Sequence, residues 1–182
     1  MDPRIKTLAH NLINYSVKAG KGDKVLIEAF DVDAEMVVQL VREAYAVGAQ
    51  PFVEIRQNKI QRALITGADE AFIENWKKYD IYRMDEMDCY IGVRGALNSY
   101  ETSDVPGDKM DLYSRLYSHP VHHNTRVCKT RWVVLRYPNE SMSQLAGMPT
   151  EVFEDFYFNV CNLDYSKMEK ARDKLKALRE KP

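Results

Sequence analysis

No run of apolar residues in this chain approaches the ~20 needed to cross a bilayer, and the opening Met1-Asp2-Pro3-Arg4-Ile5-Lys6 leads into no signal-peptide core. Charge of one sign is also missing: 26 Lys and Arg stand against 27 Asp and Glu. A protein that follows phosphate backbones carries a basic stripe, so nucleic acid and membrane are both excluded as expected partners. Cysteine is scarce. Cys89, Cys128 and Cys161 are odd in number and widely spaced, which suits reduced thiols better than a disulfide frame. With 8 Gly and 7 Pro in 182 residues, the chain is neither low-complexity nor collagen-like. What remains is 45% hydrophobic and 29% charged, the composition of one globular unit able to bury a core. A soluble cytoplasmic protein is expected.

Periodicity organises the chain. Ile5, Leu8, Ala9, Leu12, Ile13 and Val17 recur at helical spacing, with Asp2 as N-cap and Pro3 at the first helical position. Gly20 to Asp23 signals a turn, and the apolar run Lys24 to Ala29 has the length of a buried strand. Asp33 is expected to cap a second helix that ends at Gly48, and Pro51 to Arg56 alternates as a strand does. Strand, helix, strand in this order implies parallel pairing and a right-handed crossover. Helices are expected around Lys59 to Ile65 and from Asp69 to Met84, the latter with Phe72, Ile73, Trp76 and Tyr79 as its apolar side. A third strand covers Asp88 to Val93, a helix Met110 to Tyr117 and a fourth strand Arg131 to Tyr137. The pattern predicts an α/β fold: an open, mostly parallel sheet of about four strands, helices on both faces, and a helical C-terminal segment. Ser141 to Met148 forms a short helix, and Thr150 caps the next. The last helix starts at Asp164 or Ser166 with a narrow stripe of Met168, Ala171, Leu175 and Leu178. So thin a seam needs a partner. The expected division is 1–163 as the α/β domain and 164–182 as a terminal helix leading towards a further domain.

Candidate chemistry is sparse. The turn Ala29-Phe30-Asp31-Val32-Asp33 has no glycine and places two carboxylates where a nucleotide phosphate would sit. Gly92-Val93-Arg94-Gly95 has no helix start beside it, and Asp31 to Glu35 lacks the Gly and Glu of a calcium loop. His119, His122 and His123 raise the question of a metal, yet they lack the spacing and the Glu of H-E-x-x-H, and Pro120 is expected to break any helix through them. A solvated loop or interdomain contact is expected there. Cys128, beside Arg126, Lys129 and Arg131, is expected to be a plain buried thiol rather than an activated one. Glu151, Glu154 and Asp155 suit the dipole of a helix start. No complete catalytic set, and no metal ligand, emerges from the residues. A cleft should nevertheless form beyond the carboxyl ends of the strands, where Arg94, Asn98, Tyr137 and Asn139 are the substrate-cleft candidates.

Three stretches add a resemblance: Lys18-Ala19-Gly20-Lys21-Gly22-Asp23-Lys24-Val25-Leu26-Ile27-Glu28, Arg131-Trp132-Val133-Val134-Leu135-Arg136-Tyr137-Pro138 and Met142-Ser143-Gln144-Leu145-Ala146-Gly147-Met148. With Glu151 to Tyr157 and Asn162 to Met168, they resemble the thermophilic metallo-aminopeptidase family of aminopeptidase T, aminopeptidase S and PepS. The resemblance implies a cytoplasmic, homodimeric, metal-dependent exopeptidase acting on peptides with free N-termini. It also implies two divalent ions (Zn, Co or Mn) in a C-terminal catalytic domain that this sequence does not contain. The present domain would then be inactive alone, shaping the cleft and supporting dimerisation. The alternative is a stand-alone interaction or small-ligand-binding domain without peptidase activity.

Overall fold

A computed structural model describes residues 2–164. Four strands form one sheet: β1 (Lys24–Phe30), β2 (Gln50–Arg56), β3 (Cys89–Arg94) and β4 (Arg131–Arg136). The order is β2-β1-β3-β4 and every pair is parallel. The register sets Glu28 between Glu54 and Gly92, and Phe30 between Arg56 and Arg94. The expected α/β class, parallel sheet and helices on both faces are all present.

β1 is buried at six of its seven positions, which is why it reads as an almost continuous apolar run: both faces of a central parallel strand are covered. Seven α-helices are present among the described residues: α1 (Pro3–Asn11), α2 (Ala34–Ala46), α3 (Asn58–Gly67), α4 (Glu70–Met84), α5 (Gly107–Tyr113), α6 (Glu140–Leu145) and α7 (Thr150–Cys161). On one face, Val25, Ile27 and Ala29 pack with Ile5 and Leu8 of α1, Met36 and Leu40 of α2, and Tyr157 and Phe158 of α7. On the other, Leu26 meets Tyr90, Met84 and Met87, while Ile73 of α4 packs with Tyr117 and Val121. Burial on this scale, roughly 1.5–3 kcal/mol per large apolar side chain, drives the assembly.

Local chemistry places several boundaries. The Asp2 carboxylate accepts from the Arg4 backbone N–H at 2.8 Å, and Asp69 does the same for Phe72 at 2.8 Å. Gly48, at φ 78°, closes α2 in a left-handed conformation that costs glycine little. Asp33 occupies the N-cap position of α2, but its side chain makes no capping hydrogen bond.

Some expectations are corrected. The first helix does not run uniformly to Val17: α1 passes into a π segment over Leu12–Ser16 and stops at Lys18, whose φ is 47°. Pro149, not Thr150, holds the N-cap position of α7. In α4, Phe72 and Tyr79 are exposed, and the inward positions are Ile73, Asp80 and Met84. Asp80 is buried because it has partners, described below, that outweigh its polarity. Pro120 does not break the chain's helical course. α5 continues as a π segment over Ser114–Val127 with Pro120 inside it. The missing N–H forfeits one backbone bond, while inward packing of Tyr117, Val121, Thr125 and Arg126 overrides local propensity. Cys128, at the end of that segment, is exposed rather than buried. The terminal helix expected over 164–182 lies outside the described residues beyond 164.

Candidate functional site

The chain leaves β1 for β2 on one side and later crosses back to place β3 on the other. This reversal makes the gap between the carboxyl ends of β1 and β3 the point where open α/β sheets form a cleft. Side chains alternate along a strand, so Glu28 of β1, Arg56 of β2 and Tyr90 and Arg94 of β3 share the face that lies away from α1 and α2.

Glu28 is fully buried and carries the centre of the site. Its Oε1 accepts from Arg126 Nη2 at 2.8 Å and lies 3.3 Å from Arg56 Nε. Its Oε2 accepts from the Tyr90 hydroxyl at 2.5 Å and lies 2.9 Å from Arg94 Nη2. Burial alone would raise its pKa. The guanidiniums of Arg126, Arg94 and Arg56, with the Tyr90 hydrogen bond, outweigh that and hold the carboxyl at about 2. Tyr90 is pushed upward, by burial first and by Glu28 next, so its phenol stays protonated and can donate. Gly92 makes room for it: a Cβ there would lie 2.9 Å from the Tyr90 oxygen.

A second layer extends the network. Arg56 donates through Nε to Glu54 at 2.6 Å, through Nη1 to the Tyr117 oxygen at 2.9 Å and through Nη2 to Asp80 at 2.8 Å. Tyr117 donates to Asp80, and Arg83 bridges Asp80 and Glu54. Arg94 lies 4.1 Å over the Phe30 ring and Arg126 4.5 Å over the Tyr90 ring, contacts that favour a guanidinium over an ammonium. The Gly95 N–H donates to the Phe30 carbonyl at 2.7 Å, tying the loops after β3 and β1 together. Asp31, at φ 48°, accepts from both the backbone and side-chain nitrogens of Asn58 and fixes the start of α3 beside the opening.

The network borders a cavity of about 260 Å³. Arg56, Arg94, Arg126, Gln61 and His122 line it together with Tyr113 and Tyr117. Arg94 Nη1, Arg126 Nε and Gln61 Oε1 are buried without hydrogen-bond partners. The arrangement is chemically suited to a negatively charged group.

Arg94 is the sequence-derived candidate that lines this cavity. Asn98 lies in the following loop and accepts from the Tyr100 backbone N–H at 3.0 Å. Tyr137 follows β4 and packs against the core on the opposite face, its phenol pushed upward by burial and by Asp33 and Glu35. Asn139 caps α6 by accepting from Met142 N–H at 2.9 Å and donates to the Ala96 carbonyl at 3.1 Å. Glu28, Arg56, Asp80 and Arg126 were hidden from sequence reasoning by their settings in strand, strand end, helix and a presumed loop. One signal was available: a lone carboxylate inside the apolar run of β1, with arginines closing the strands on both sides.

His122 is on the cavity wall, with its ring edge-on to Tyr90 and Trp132; His123 lies 5.4 Å, ring to ring, from both His119 and His122. Burial first, then Arg126 and Arg94, hold His122 below the usual imidazole pKa. The same guanidiniums would repel a divalent cation. Among the described residues, no group of three or more His, Cys, Asp and Glu side chains is arranged to hold a metal ion.

Against known proteins, the profile of the family described as thermophilic metalloprotease (M29) matches residues 1–181. The chain belongs to this family. Its fold is also that of wild-type AmpT from Thermus thermophilus, with a TM-score of 0.67 at 16% sequence identity. The match covers 88% of this chain and 43% of that one, so the chain spans less than half the length of its structural relative. No curated protein sequence matches. The metal that the family implies does not fit the described residues of this chain. No helix among the described residues is long and apolar enough to cross a membrane.

Proposed function

We propose that the chain is the N-terminal, non-catalytic part of a metal-dependent aminopeptidase that removes residues from unblocked peptide N-termini. The observation that carries this is the family match over residues 1–181, taken with coverage of only 43% of the AmpT chain. In this proposal a separate C-terminal domain would hold the two divalent ions, which would supply the chemistry of metal-assisted peptide hydrolysis. The α/β domain shapes the substrate cleft, contacts its own catalytic domain and supports a cytoplasmic homodimer. Arg94, Asn98, Tyr137 and Asn139, all on segments that end or follow β3 and β4, are the residues proposed to face peptide.

Metal content and aminoacyl-substrate hydrolysis, measured on the 182-residue chain with and without Co²⁺, Zn²⁺ or Mn²⁺, test this. The expected result is neither stoichiometric metal nor turnover. Stoichiometric metal with activity that disappears in a His122→Ala/His123→Ala variant would overturn it and place the chemistry within this chain.

A further inference from the structure

We propose that the arginine-walled cavity between β1 and β3 is a binding site for a small oxyanion that carries a neighbouring hydrogen-bond donor. Charge, orphaned polar atoms and position support it separately.

The connected network holds four guanidiniums, Arg56, Arg83, Arg94 and Arg126, against three carboxylates, Glu28, Glu54 and Asp80. One positive charge is left over. Its cost would be small at a surface but is large where Arg126 is 4% exposed and Glu28 fully enclosed. The carboxylate of Glu28 already accepts from Arg126 and Tyr90 and is ion-paired with Arg94, while Arg94 Nη2 donates to the Tyr90 oxygen at 2.7 Å, so the carboxylate has little left to offer. Arg94 Nη1 and Arg126 Nε nevertheless remain without acceptors. Buried N–H groups are almost always paired, and both belong to side chains that line the same cavity. An oxyanion supplies the missing acceptors and the missing charge together, through charge-assisted hydrogen bonds.

Gln61 refines the ligand. Its Nε2 donates to the Tyr113 oxygen at 2.9 Å, while its Oε1 has no partner. A ligand with an N–H or O–H beside its oxyanion satisfies this acceptor too. Hydrogen phosphate has that pattern, and so does the C-terminal carboxylate of a peptide with its adjoining amide. A volume of about 260 Å³ accommodates either group. The location beyond the carboxyl ends of β1 and β3 is where α/β sheets bind ligands. Oxyanion binding here stands independently of the peptidase proposal, since it requires no hydrolysis and no metal.

Calorimetric titration of the protein at low ionic strength with inorganic phosphate, and separately with N-acetylglycine, distinguishes the two sources. N-acetylglycine has a blocked amine and cannot be an aminopeptidase substrate. Saturable one-to-one binding of either probe is expected, and the tighter one identifies the physiological chemistry. Arg94→Gln should weaken it by at least about tenfold, the loss that follows from one charge-assisted hydrogen bond. Arg94 is partly exposed, so this variant keeps its fold, which circular dichroism checks. Gln61→Ala should weaken binding by a smaller factor. Bound anion should also raise the pH at which the His122 ring titrates by NMR. Absence of saturation with both probes, or affinity unchanged in Arg94→Gln, overturns the proposal.

Discussion

Replacing Glu28 by Gln keeps the shape of the side chain and removes one negative charge from a fully buried position. The carboxyl, lowered from 4.5 to about 2 in the folded chain, prefers its ionised state by about 3 kcal/mol relative to the unfolded chain. Glu28→Gln leaves four guanidiniums facing two carboxylates, and breaking a buried ion pair from one side costs about 3–5 kcal/mol. The expected loss is therefore about 3 kcal/mol, a large share of the 5–15 kcal/mol typical of a domain. Equilibrium urea unfolding at neutral pH should show the midpoint falling by about 1 M or more. The pH dependence supplies a second reading with a definite sign. Because the folded pKa is depressed, Glu28 contributes fully above about pH 4.5, and its contribution is lost as pH falls towards 2. At about pH 3 the unfolded carboxyl is mostly protonated, so about 2 kcal/mol of the gap between wild type and Glu28→Gln should have closed. A variant within about 0.3 M of wild type at neutral pH, or a gap that stays constant on acidification, would refute the view that Glu28 organises the guanidinium cluster.

Three further outcomes are expected. Gly95→Ala places a Cβ 2.5 Å from the Asp31 carbonyl oxygen, a backbone atom that cannot swing aside, and should cost about 1–3 kcal/mol of stability; an unchanged thermal midpoint would contradict it. His122 should remain neutral below pH 6.5, because burial and then Arg126 and Arg94 depress its pKa. The unfolded imidazole takes up a proton first, so folding loses stability as pH falls from 6.5 to the folded pKa; NMR titration reads this directly, and His122→Gln should flatten that part of the stability profile. A thiol reagent applied to the native protein should modify exposed Cys128 quickly and spare buried Cys89, whose thiol burial pushes up to about 11. Equal rates at the two would sink that assignment.

Much of the fold was legible because it rests on short-range pattern. The run Lys24 to Ala29 announced a strand covered on both faces, and the Asp2-Pro3 and Asp69 starts announced helices whose orphan N–H groups their side chains then satisfy. Where local pattern misled, packing decided. Tyr79 looked like an inward residue of α4 by spacing, but the neighbouring Asp80 is buried instead, held by Arg56, Arg83 and Tyr117. Pro120 looked like a break, and the π segment passes through it because Tyr117 and Val121 on either side are anchored in a core.

The candidate site was mostly illegible for a different reason. Arg94 could be found, since any residue closing a strand of an open sheet is near the cleft. Arg126 could not: it meets Glu28 across 98 positions of sequence, from a segment whose helical path the sequence argued against. The amino-acid sequence by itself determined the α/β class, the strand positions and the family, because periodicity, capping and motif are properties of neighbouring residues. The tertiary structure alone decided the strand order, the convergence of three arginines on one carboxylate and the surplus charge beside the cavity. Those depend on parallel register and long-range burial, where the low dielectric makes a single unpaired charge matter.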